Sequence, residues 1–313
     1  MLYTTLGRTG FNVSRMGLGC GGHSRLGLRD GNEENAVRIV REAYDLGVNF
    51  FDTAESYGTE EAVGKGLAGI PRDKVFLSTK VGATWEDEKS SAPDLRERLE
   101  GCLTRLQTDY VDVFHLHGVP QRDYAYSVEV LVPEMQKLKD EGKIRAIGIT
   151  EAFIPEPDHR MLAPGLAKDD CWDVVMLGFS VLNQSARHSV LPLTRTKDVG
   201  TLCMFAVRRA LSQPEALHDL MNQLVQEDLV DHYDFEHDDP LGFLTAPGVA
   251  HSLQEAAYRY CLHEPGIDVV LSGTGDIEHL RANAKALCGE PLPEEVTRRL
   301  AKIFAHVDCV SGN

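Results

Sequence analysis

Eight short apolar segments recur along the chain at intervals close to thirty residues, and this repeat constrains the fold more than any other feature. The segments are continuously apolar rather than alternating, as expected for parallel strands that are buried on both faces. Their starting points are separated by 34, 26, 36, 33, 29, 28 and 67 residues. The segments span residues 15–20, 49–54, 75–80, 111–117, 144–150, 173–178, 201–205 and 268–273.

Amphipathic helices are predicted in the intervals, for example from the leucines at positions 95, 99, 103 and 106. Ser212 and Ser252 each precede a glutamate by three positions, which is the pattern of a helix capping box. Eight strands that are each followed by a helix predict an α/β fold of the (β/α)8 TIM barrel type. The main alternative is a doubly wound open sheet, but the glycines at 17–22 lack the G-x-G-x-x-G spacing of that fold.

Two further segments extend this pattern. Residues 2–14 predict an N-terminal β-hairpin, because Gly7 and Gly10 suit a turn between two short strands. The 67-residue interval between strands 7 and 8 contains an acidic stretch at residues 231–240, which we interpret as either a lid over the substrate or a surface loop. Residues 1–313 are interpreted as a single barrel domain.

Charge and composition exclude several classes of function. The chain has 32 Lys and Arg against 48 Asp and Glu, and its net charge of −16 argues against nucleic-acid and anionic membrane partners. No apolar run is long enough to span a membrane, and the N-terminus does not have the pattern of a signal peptide. Seven scattered cysteines argue against disulfides or zinc. We therefore expect a cytoplasmic protein that acts on a small molecule; its oligomeric state stays open.

Polar side chains lie at the ends of three consecutive predicted strands. Asp52 ends the second strand and leads into Tyr57, while Lys80 and His117 end the third and fourth. The carboxyl ends of barrel strands meet at one rim, where active sites are built. An ammonium group favours a nearby phenolate, so Lys80 is expected to lower the pKa of Tyr57 and make it a general acid or base. Asp52 would orient Lys80, and His117 would donate a hydrogen bond to a substrate oxygen.

With these residues in place, the chain resembles the aldo-keto reductases over nearly its whole length. The resemblance implies an NAD(P)-dependent oxidoreductase that interconverts aldehydes, ketones or sugar lactols with alcohols by hydride transfer, with Tyr57 as the general acid or base. It also assigns the catalytic tetrad to Asp52, Tyr57, Lys80 and His117. The motifs that carry it are LGRTG at 6–10, GVNFFDTAESYG at 47–58, FLSTK at 76–80, DYVDVFHLH at 109–117 and GKIRAIG at 142–148.

The same resemblance implies a set of cofactor contacts, several of which depart from the usual family pattern. Thr150 and Glu151 replace Ser-Asn beside the nicotinamide, and Met176 replaces a glutamine. Gly273 and His279 replace cations that bind the 2′-phosphate in many NADP-using members, so NADP(H) and NAD(H) both stay open. The predicted cofactor-binding residues are Gly19, Thr150, Glu151, Met204, Phe205, Arg208, Gly273, Thr274, Gly275, His279 and Asn283.

Substrate contacts are predicted at Cys20 and Trp85, which follow the first and third strands. The departures at Glu151 and Met176 keep open a regulatory barrel that binds the cofactor with little turnover. His115 and His117 have the spacing of a metal pair, but further ligands are lacking at other strand ends, so no metal is expected. The acidic stretch at 231–240 favours a neutral or cationic substrate.

Overall fold

The apolar segments all form strands, and these close into one parallel barrel. The computed structural model describes residues 1–85 and 88–313, with every side chain among them except those of Asp30 and Trp85. The sheet closes on itself, which confirms the TIM barrel and excludes the open doubly wound sheet. The strands are β1 (Tyr3–Thr5), β2 (Asn12–Ser14), β3 (Met16–Gly19), β4 (Phe50–Asp52), β5 (Phe76–Gly82), β6 (Thr84–Trp85), β7 (Glu88–Lys89), β8 (Val111–Val119), β9 (Ile144–Glu151), β10 (Val174–Gly178), β11 (Gly200–Met204) and β12 (Val269–Ser272).

Around the barrel the strand order is β3, β4, β5, β8, β9, β10, β11 and β12, and β12 pairs again with β3. Helices connect the strands and bury their apolar stripes against the outside of the sheet. The helices are α1 (Glu33–Asp45), α2 (Glu60–Leu67), α3 (Ala92–Leu106), α4 (Gln121–Tyr126), α5 (Val132–Asp140), α6 (Leu162–Lys168), α7 (Ala186–Ser189), α8 (Leu191–Lys197), α9 (Pro214–Gln226), α10 (Leu253–Leu262), α11 (Ile277–Ala286) and α12 (Glu294–Ile303). No helix among the described residues is long and apolar enough to cross a membrane.

One of the two predicted helix caps is present and the other is not. The Ser252 side chain accepts a hydrogen bond from the Glu255 amide at the start of α10, which is the serine half of the predicted capping box; the Glu255 carboxylate accepts from the His251 amide at 3.2 Å. The prediction at Ser212 is wrong, because α9 begins one residue later, after Gln213. Pro214 has a fixed φ that suits the first helical position, so the helix starts there.

The N-terminal hairpin closes one end of the barrel. Strands β1 and β2 pair antiparallel, as the sequence predicts. Gly7 adopts a φ of +43°, and a Cβ atom built on it would lie 2.2 Å from the Gly200 amide nitrogen at the start of β11. The hairpin can therefore approach the barrel only because Gly7 has no side chain. The hairpin residues that are buried inside the barrel end are Leu6, Phe11 and Val13.

The register of the parallel strands brings the polar strand ends together at the opposite rim. Asp52 of β4 lies beside Ser78 of β5. Further along β5, Lys80 lies beside His115 and Gly82 lies beside His117. Asp52, Lys80 and His117 therefore project from three adjacent strands near one end of the barrel.

The acidic stretch at residues 231–240 contacts the outer helix α12. Lys302 of α12 donates a hydrogen bond to the Asp234 carboxylate, and Arg299 donates to the Asp234 carbonyl at 3.1 Å. Tyr233 is 83% exposed. These contacts support the surface-loop interpretation of this stretch rather than the lid.

Asp112 provides a test of the contacts that hold the barrel strands together. Its buried carboxylate accepts hydrogen bonds from the Leu77 amide and from Arg72, each at 2.8 Å, and from Arg145 at 2.5 Å. We expect Asp112→Ala to lower the free energy of unfolding by about 3 kcal/mol, because a buried amide and two guanidinium groups lose their acceptor. Urea denaturation measures this change. The control is Asp109→Ala at an exposed position, and equal losses in both variants would contradict the prediction.

Candidate active site

A cavity of about 480 Å³ opens at the rim of the barrel where the polar strand ends meet. Its size suits a small ligand or part of a larger one. Its walls come from the segments that follow β3, β4, β9 and β11, and from residues near the carboxyl ends of β8, β9, β10 and β11. Tyr57 and His117 line this cavity, whereas Lys80 lies fully buried beneath it.

Lys80 is held by two acceptors at the end of the neighbouring strand β4. Its ammonium group donates hydrogen bonds to the Asp52 carboxylate at 2.7 Å and to the Thr53 carbonyl at 2.6 Å. The Ser78 hydroxyl donates to the other Asp52 oxygen at 2.7 Å and fixes its orientation. Burial alone would lower the pKa of Lys80, but Asp52 and Tyr57 outweigh burial and raise it. Lys80 therefore carries its positive charge at neutral pH.

Tyr57 lies between this ammonium group and the imidazole of His117. The Lys80 nitrogen is 5.0 Å from the centre of the Tyr57 ring, and the Tyr57 hydroxyl is 3.2 Å from Nε2 of His117. Burial raises the pKa of Tyr57, although Lys80 and Arg25 act in the opposite direction. The expected net lowering of this pKa is therefore wrong, because desolvation of the phenolate outweighs the nearby positive charges. Tyr57 stays protonated at neutral pH and has a proton to donate.

His117 is neutral at physiological pH. Burial, with further contributions from Lys80 and Arg25, lowers the pKa of its imidazole to about 3. A neutral imidazole has one donor and one acceptor nitrogen, so His117 can share a hydrogen bond with Tyr57 or with a ligand oxygen. The adjacent His115 is fully buried against the backbone of Gly148 and does not face the cavity. Within residues 1–85 and 88–313, no three His, Cys, Asp or Glu side chains are grouped as a metal site requires.

Several of the predicted cofactor residues line the same cavity. They include Thr150, whose hydroxyl accepts a hydrogen bond from the Gly118 amide at 2.6 Å. Phe205 has a φ of +69°, an unusual conformation for a bulky residue, and the guanidinium carbon of Arg208 lies 4.3 Å from the centre of its ring. The predicted cofactor residues that line the cavity are Thr150, Glu151, Met204, Phe205 and Arg208.

Glu151 is already engaged with protein groups. Its buried carboxylate accepts a hydrogen bond from the Gly178 amide at 2.8 Å, and both of its oxygens lie 3.0 Å from Nδ1 of His159. His159 is fully buried with a φ of +59°, and its ring stacks on Phe153 in the cavity wall. The Glu151 carboxylate therefore braces the segment that follows β9.

The predicted residues after β12 lie outside the cavity wall, beside the loop that follows β3. Asn35 donates a hydrogen bond to the Gly275 carbonyl at 2.8 Å, and a Cβ on Gly275 would lie 2.9 Å from the Gly27 amide nitrogen. Thr274 is partly buried and accepts a hydrogen bond from the Asp276 amide at 3.1 Å. These contacts fasten the two loops together.

The adenosine side of the predicted cofactor site has few free polar groups. The Asn283 amide donates to the Ser272 hydroxyl at 3.0 Å. His279 is exposed, and its backbone amide is capped by Asp276 at 2.8 Å. A Cβ on Gly273 would lie 2.3 Å from the Gly19 carbonyl oxygen, so these two strand ends are in close contact.

Cys20 and Trp85 are the two residues predicted to contact the substrate. Cys20 is buried in the core, where its thiol lies 3.6 Å from the Leu18 carbonyl, so it forms no part of the cavity wall. Burial, assisted by Asp52, raises the pKa of this thiol. Trp85 ends β6, but its side chain lies outside the described part of the chain.

Comparison with known proteins agrees with this arrangement. The sequence model described as "Aldo/keto reductase family" matches residues 15–305. The chain belongs to the aldo/keto reductase family. It is accordingly an NAD(P)-dependent oxidoreductase.

Individual relatives of this aldo-keto reductase show how far the similarity extends. L-galactose dehydrogenase of Arabidopsis thaliana is 38% identical over 209 residues, which span 63% of this chain and 62% of the plant protein, less than two thirds of either. Aldo-keto reductase YhdN of Bacillus subtilis is 28% identical over 308 residues, or 90% of this chain and 88% of that protein. The holo form of an aldo-keto reductase from Bacillus halodurans has a TM-score of 0.73 at 27% identity, covering 98% and 97% of the two chains.

The structure also places residues in the cavity that the sequence analysis missed. Arg25 and Arg29 come from the loop after β3, and Phe153 and Ile154 come from the segment after β9. Loops after barrel strands build active sites, so the position of both segments was a usable signal. The direction of their side chains depends on the folded loops and could not be inferred from the sequence.

The low pKa of His117 gives a prediction about stability. The unfolded chain binds a proton at this residue near pH 6.5, whereas the folded chain does so only near pH 3. The folded enzyme must therefore lose stability as the pH falls through this window, by about 1.4 kcal/mol per pH unit. We expect the free energy of unfolding of the wild type to fall more steeply than that of His117→Gln between pH 6 and 4. Urea denaturation at several pH values measures both slopes, with exposed His251→Gln as the control; parallel curves for wild type and His117→Gln would contradict the assignment.

Proposed function

We propose that this aldo-keto reductase interconverts aldehydes, ketones or sugar lactols with the corresponding alcohols, using Tyr57 as the general acid or base. The observation that carries the proposal is the position of the Tyr57 hydroxyl. It faces the cavity 3.2 Å from His117, and its ring lies 5.0 Å from the ammonium group of Lys80. A phenol needs such support, because its ordinary pKa of about 10 makes it a weak acid at neutral pH.

Each residue of the site has a separate role in the reduction. NAD(P)H, when bound, supplies the hydride to the carbonyl carbon. Tyr57, which is protonated at neutral pH, donates its proton to the carbonyl oxygen. Lys80 then stabilises the phenolate, and Asp52 keeps Lys80 charged and oriented. Neutral His117 orients the substrate oxygen by a hydrogen bond. Oxidation is the reverse: NAD(P)+, when bound, would take the hydride, and Tyr57 would accept the alcohol proton as a phenolate, a form that its raised pKa confines to high pH.

The residues around the cavity fit the nicotinamide end of a dinucleotide. Phe205 and Met204 offer an apolar face, Thr150 offers a hydroxyl, and Arg208 lies over Phe205 on the same side. We assign these residues to cofactor binding, together with Gly19, Thr274, Gly275 and Asn283 near the adenosine end.

The adenosine end carries little positive charge for a 2′-phosphate. Gly273 has no side chain, and neither Gly273 nor His279 provides the guanidinium group that suits a phosphate. Arg281, the nearest arginine in the sequence, is bound to Glu42 at 2.7 Å and to Glu278 at 2.8 Å. Both NADH and NADPH therefore need to be tested.

A second candidate function rests on Glu151. Its carboxylate is already satisfied by Gly178 and His159, so it offers less to the nicotinamide carboxamide than the family's asparagine would. A barrel that binds the cofactor and turns over slowly would be consistent with this arrangement.

The similarity to L-galactose dehydrogenase favours sugar lactols as substrates to test alongside simple aldehydes.

Replacement of Tyr57 separates these functions. We expect Tyr57→Phe to lower kcat/KM for carbonyl reduction by about 10²–10⁴-fold, because the proton donor is lost. Fluorescence titration with NADH and NADPH should show that cofactor binding is retained. Tyr44→Phe, on outer helix α1, is the matched control and should keep its activity.

Three results would count against the proposal. Wild-type protein that binds a cofactor but reduces no carbonyl compound would favour the regulatory barrel. Protein that binds neither cofactor would overturn both functions. Equal activity of Tyr57→Phe and wild type would remove Tyr57 from the acid–base role.

A further inference from the structure

The loop after β3 brings two arginines into the cavity that the mechanism above does not use. Arg25 and Arg29 belong to the turn Arg25–Asp30, and both line the cavity together with His23 from the same loop. Arg208 lies in the wall formed after β11, and we have assigned it to the cofactor. The charges of Arg25 and Arg29 therefore need a separate explanation.

Arg25 is packed against the reacting tyrosine. One terminal nitrogen of its guanidinium donates hydrogen bonds to the carbonyls of Ser56, at 2.9 Å, and Tyr57. The guanidinium carbon lies 5.2 Å from the centre of the Tyr57 ring. Its Nε is buried and has no hydrogen-bond partner in the described part of the chain. The charge of Arg25 opposes the rise that burial causes in the pKa of Tyr57, and it contributes to the lowered pKa of His117.

The backbone of this loop is held in an unusual conformation. Arg25 and Leu26 have φ values of +48° and +59°, in the left-handed region that non-glycine residues rarely adopt. The contact of Gly27 with Gly275 after β12 helps to hold the turn in place. Strained backbone of this kind is retained where the surrounding structure requires a particular side-chain direction, and here it sends Arg25 towards Tyr57.

Arg25 and Arg29 are not paired with any carboxylate whose side chain the structure describes. Among the described side chains, neither Arg25 nor Arg29 forms an ion pair, and Arg29 is exposed with its guanidinium 3.2 Å from Nδ1 of His23. Glu151 is the one carboxylate among the described lining residues, and it is held by Gly178 and His159. Among the described lining residues, Arg25 and Arg29 therefore place positive charge without an ion-pair partner at the cavity of a protein whose net charge is −16.

We propose that Arg25 and Arg29 form a subsite that binds an oxyanion, a carboxylate or phosphate group, carried by the carbonyl substrate. Guanidinium groups present several fixed donors and are well suited to carboxylate and phosphate. We assign the oxyanion to the substrate rather than to the cofactor, because Arg25 lies against Tyr57, where the carbonyl group must bind. This inference rests on the proposed function and narrows its substrate class to carbonyl compounds with an acidic group.

The subsite reverses the substrate preference that the acidic stretch at 231–240 suggested. That stretch contacts α12 and contributes no residue to the cavity wall as described. The groups that a substrate meets next to Tyr57 are instead the two arginines. The preference for a neutral or cationic substrate therefore has no support in the structure.

A matched pair of substrates tests the subsite. We would measure kcat/KM for 4-oxobutanoate and for its methyl ester, which differ in the negative charge. The wild type should prefer the acid, and Arg29→Gln should lower the ratio of acid to ester by ten-fold or more. Arg25→Gln should lower it as well, and Arg25→Lys should restore part of the ratio by restoring the charge. Arg209→Gln removes an exposed arginine next to Arg208 and should leave the ratio unchanged.

The binding of NADH and NADPH to the same variants identifies the source of the oxyanion. Unchanged dissociation constants in Arg29→Gln, together with a lower acid-to-ester ratio, support a substrate subsite. Weaker binding of the cofactors with an unchanged ratio would assign the arginines to a cofactor phosphate and overturn the proposal. Equal use of acid and ester by the wild type would also overturn it.

One further titration separates failure of the subsite from failure of the proposed function. Butanoate and methyl butanoate lack the reacting carbonyl, and their binding can be followed by saturation-transfer NMR. Butanoate binding that Arg29→Gln weakens by ten-fold or more would support the subsite even if neither aldehyde is reduced, a result that would count against the proposed function alone. Absence of butanoate binding, with both aldehydes reduced equally, would overturn the subsite and leave the proposed function intact.

Discussion

The ammonium group of Lys80, fully buried beneath the cavity, is the interaction on which the rest of the site depends. A buried ammonium group without hydrogen-bond partners would cost many kcal/mol, so it requires acceptors in fixed positions. Asp52 and the Thr53 carbonyl supply them, and both follow from the register of β4 against β5. The closed barrel is therefore what makes a charged lysine possible here. The same charge makes proton transfer at Tyr57 possible, although burial keeps that phenol protonated.

Features set by strand periodicity could be predicted from the sequence, and features set by loop packing could not. Apolar segments buried on both faces predicted a parallel barrel, and polar residues at consecutive strand ends predicted that Asp52, Lys80 and His117 would meet. The net pKa direction of Tyr57 depends on how deeply its phenol is buried, which no spacing reveals. The directions of Arg25 and Arg29 depend on a left-handed turn that contacts Gly275, more than two hundred residues away.

The pair of Glu151 and His159 shows how one substitution reorganises a neighbouring segment. A buried carboxylate needs donors, and the Gly178 amide supplies one while His159 faces both of its oxygens. His159 has a positive φ of +59° in the segment after β9. Its ring then supports Phe153, which packs edge-on against Phe205 on the cofactor side of the cavity. Glu151, predicted as a cofactor contact, thus supports the aromatic wall of the cavity through His159.

The protein as a whole is negatively charged, whereas most of the charged groups at its cavity are positive. A net charge of −16 repels anions at long range, but at physiological ionic strength the field of exposed charges is screened beyond about 8 Å. A ligand inside the cavity is therefore governed by the groups within a few ångströms. Among the described residues, the positive ones are Arg25, Arg29, Arg208 and the buried Lys80, and the negative one is Glu151, which is held by Gly178 and His159. Long-range repulsion slows the approach of an anion, whereas short-range attraction slows its departure. Added salt weakens the first effect more than the second, so an acidic substrate gains access while its contacts with the partly buried Arg25 are retained.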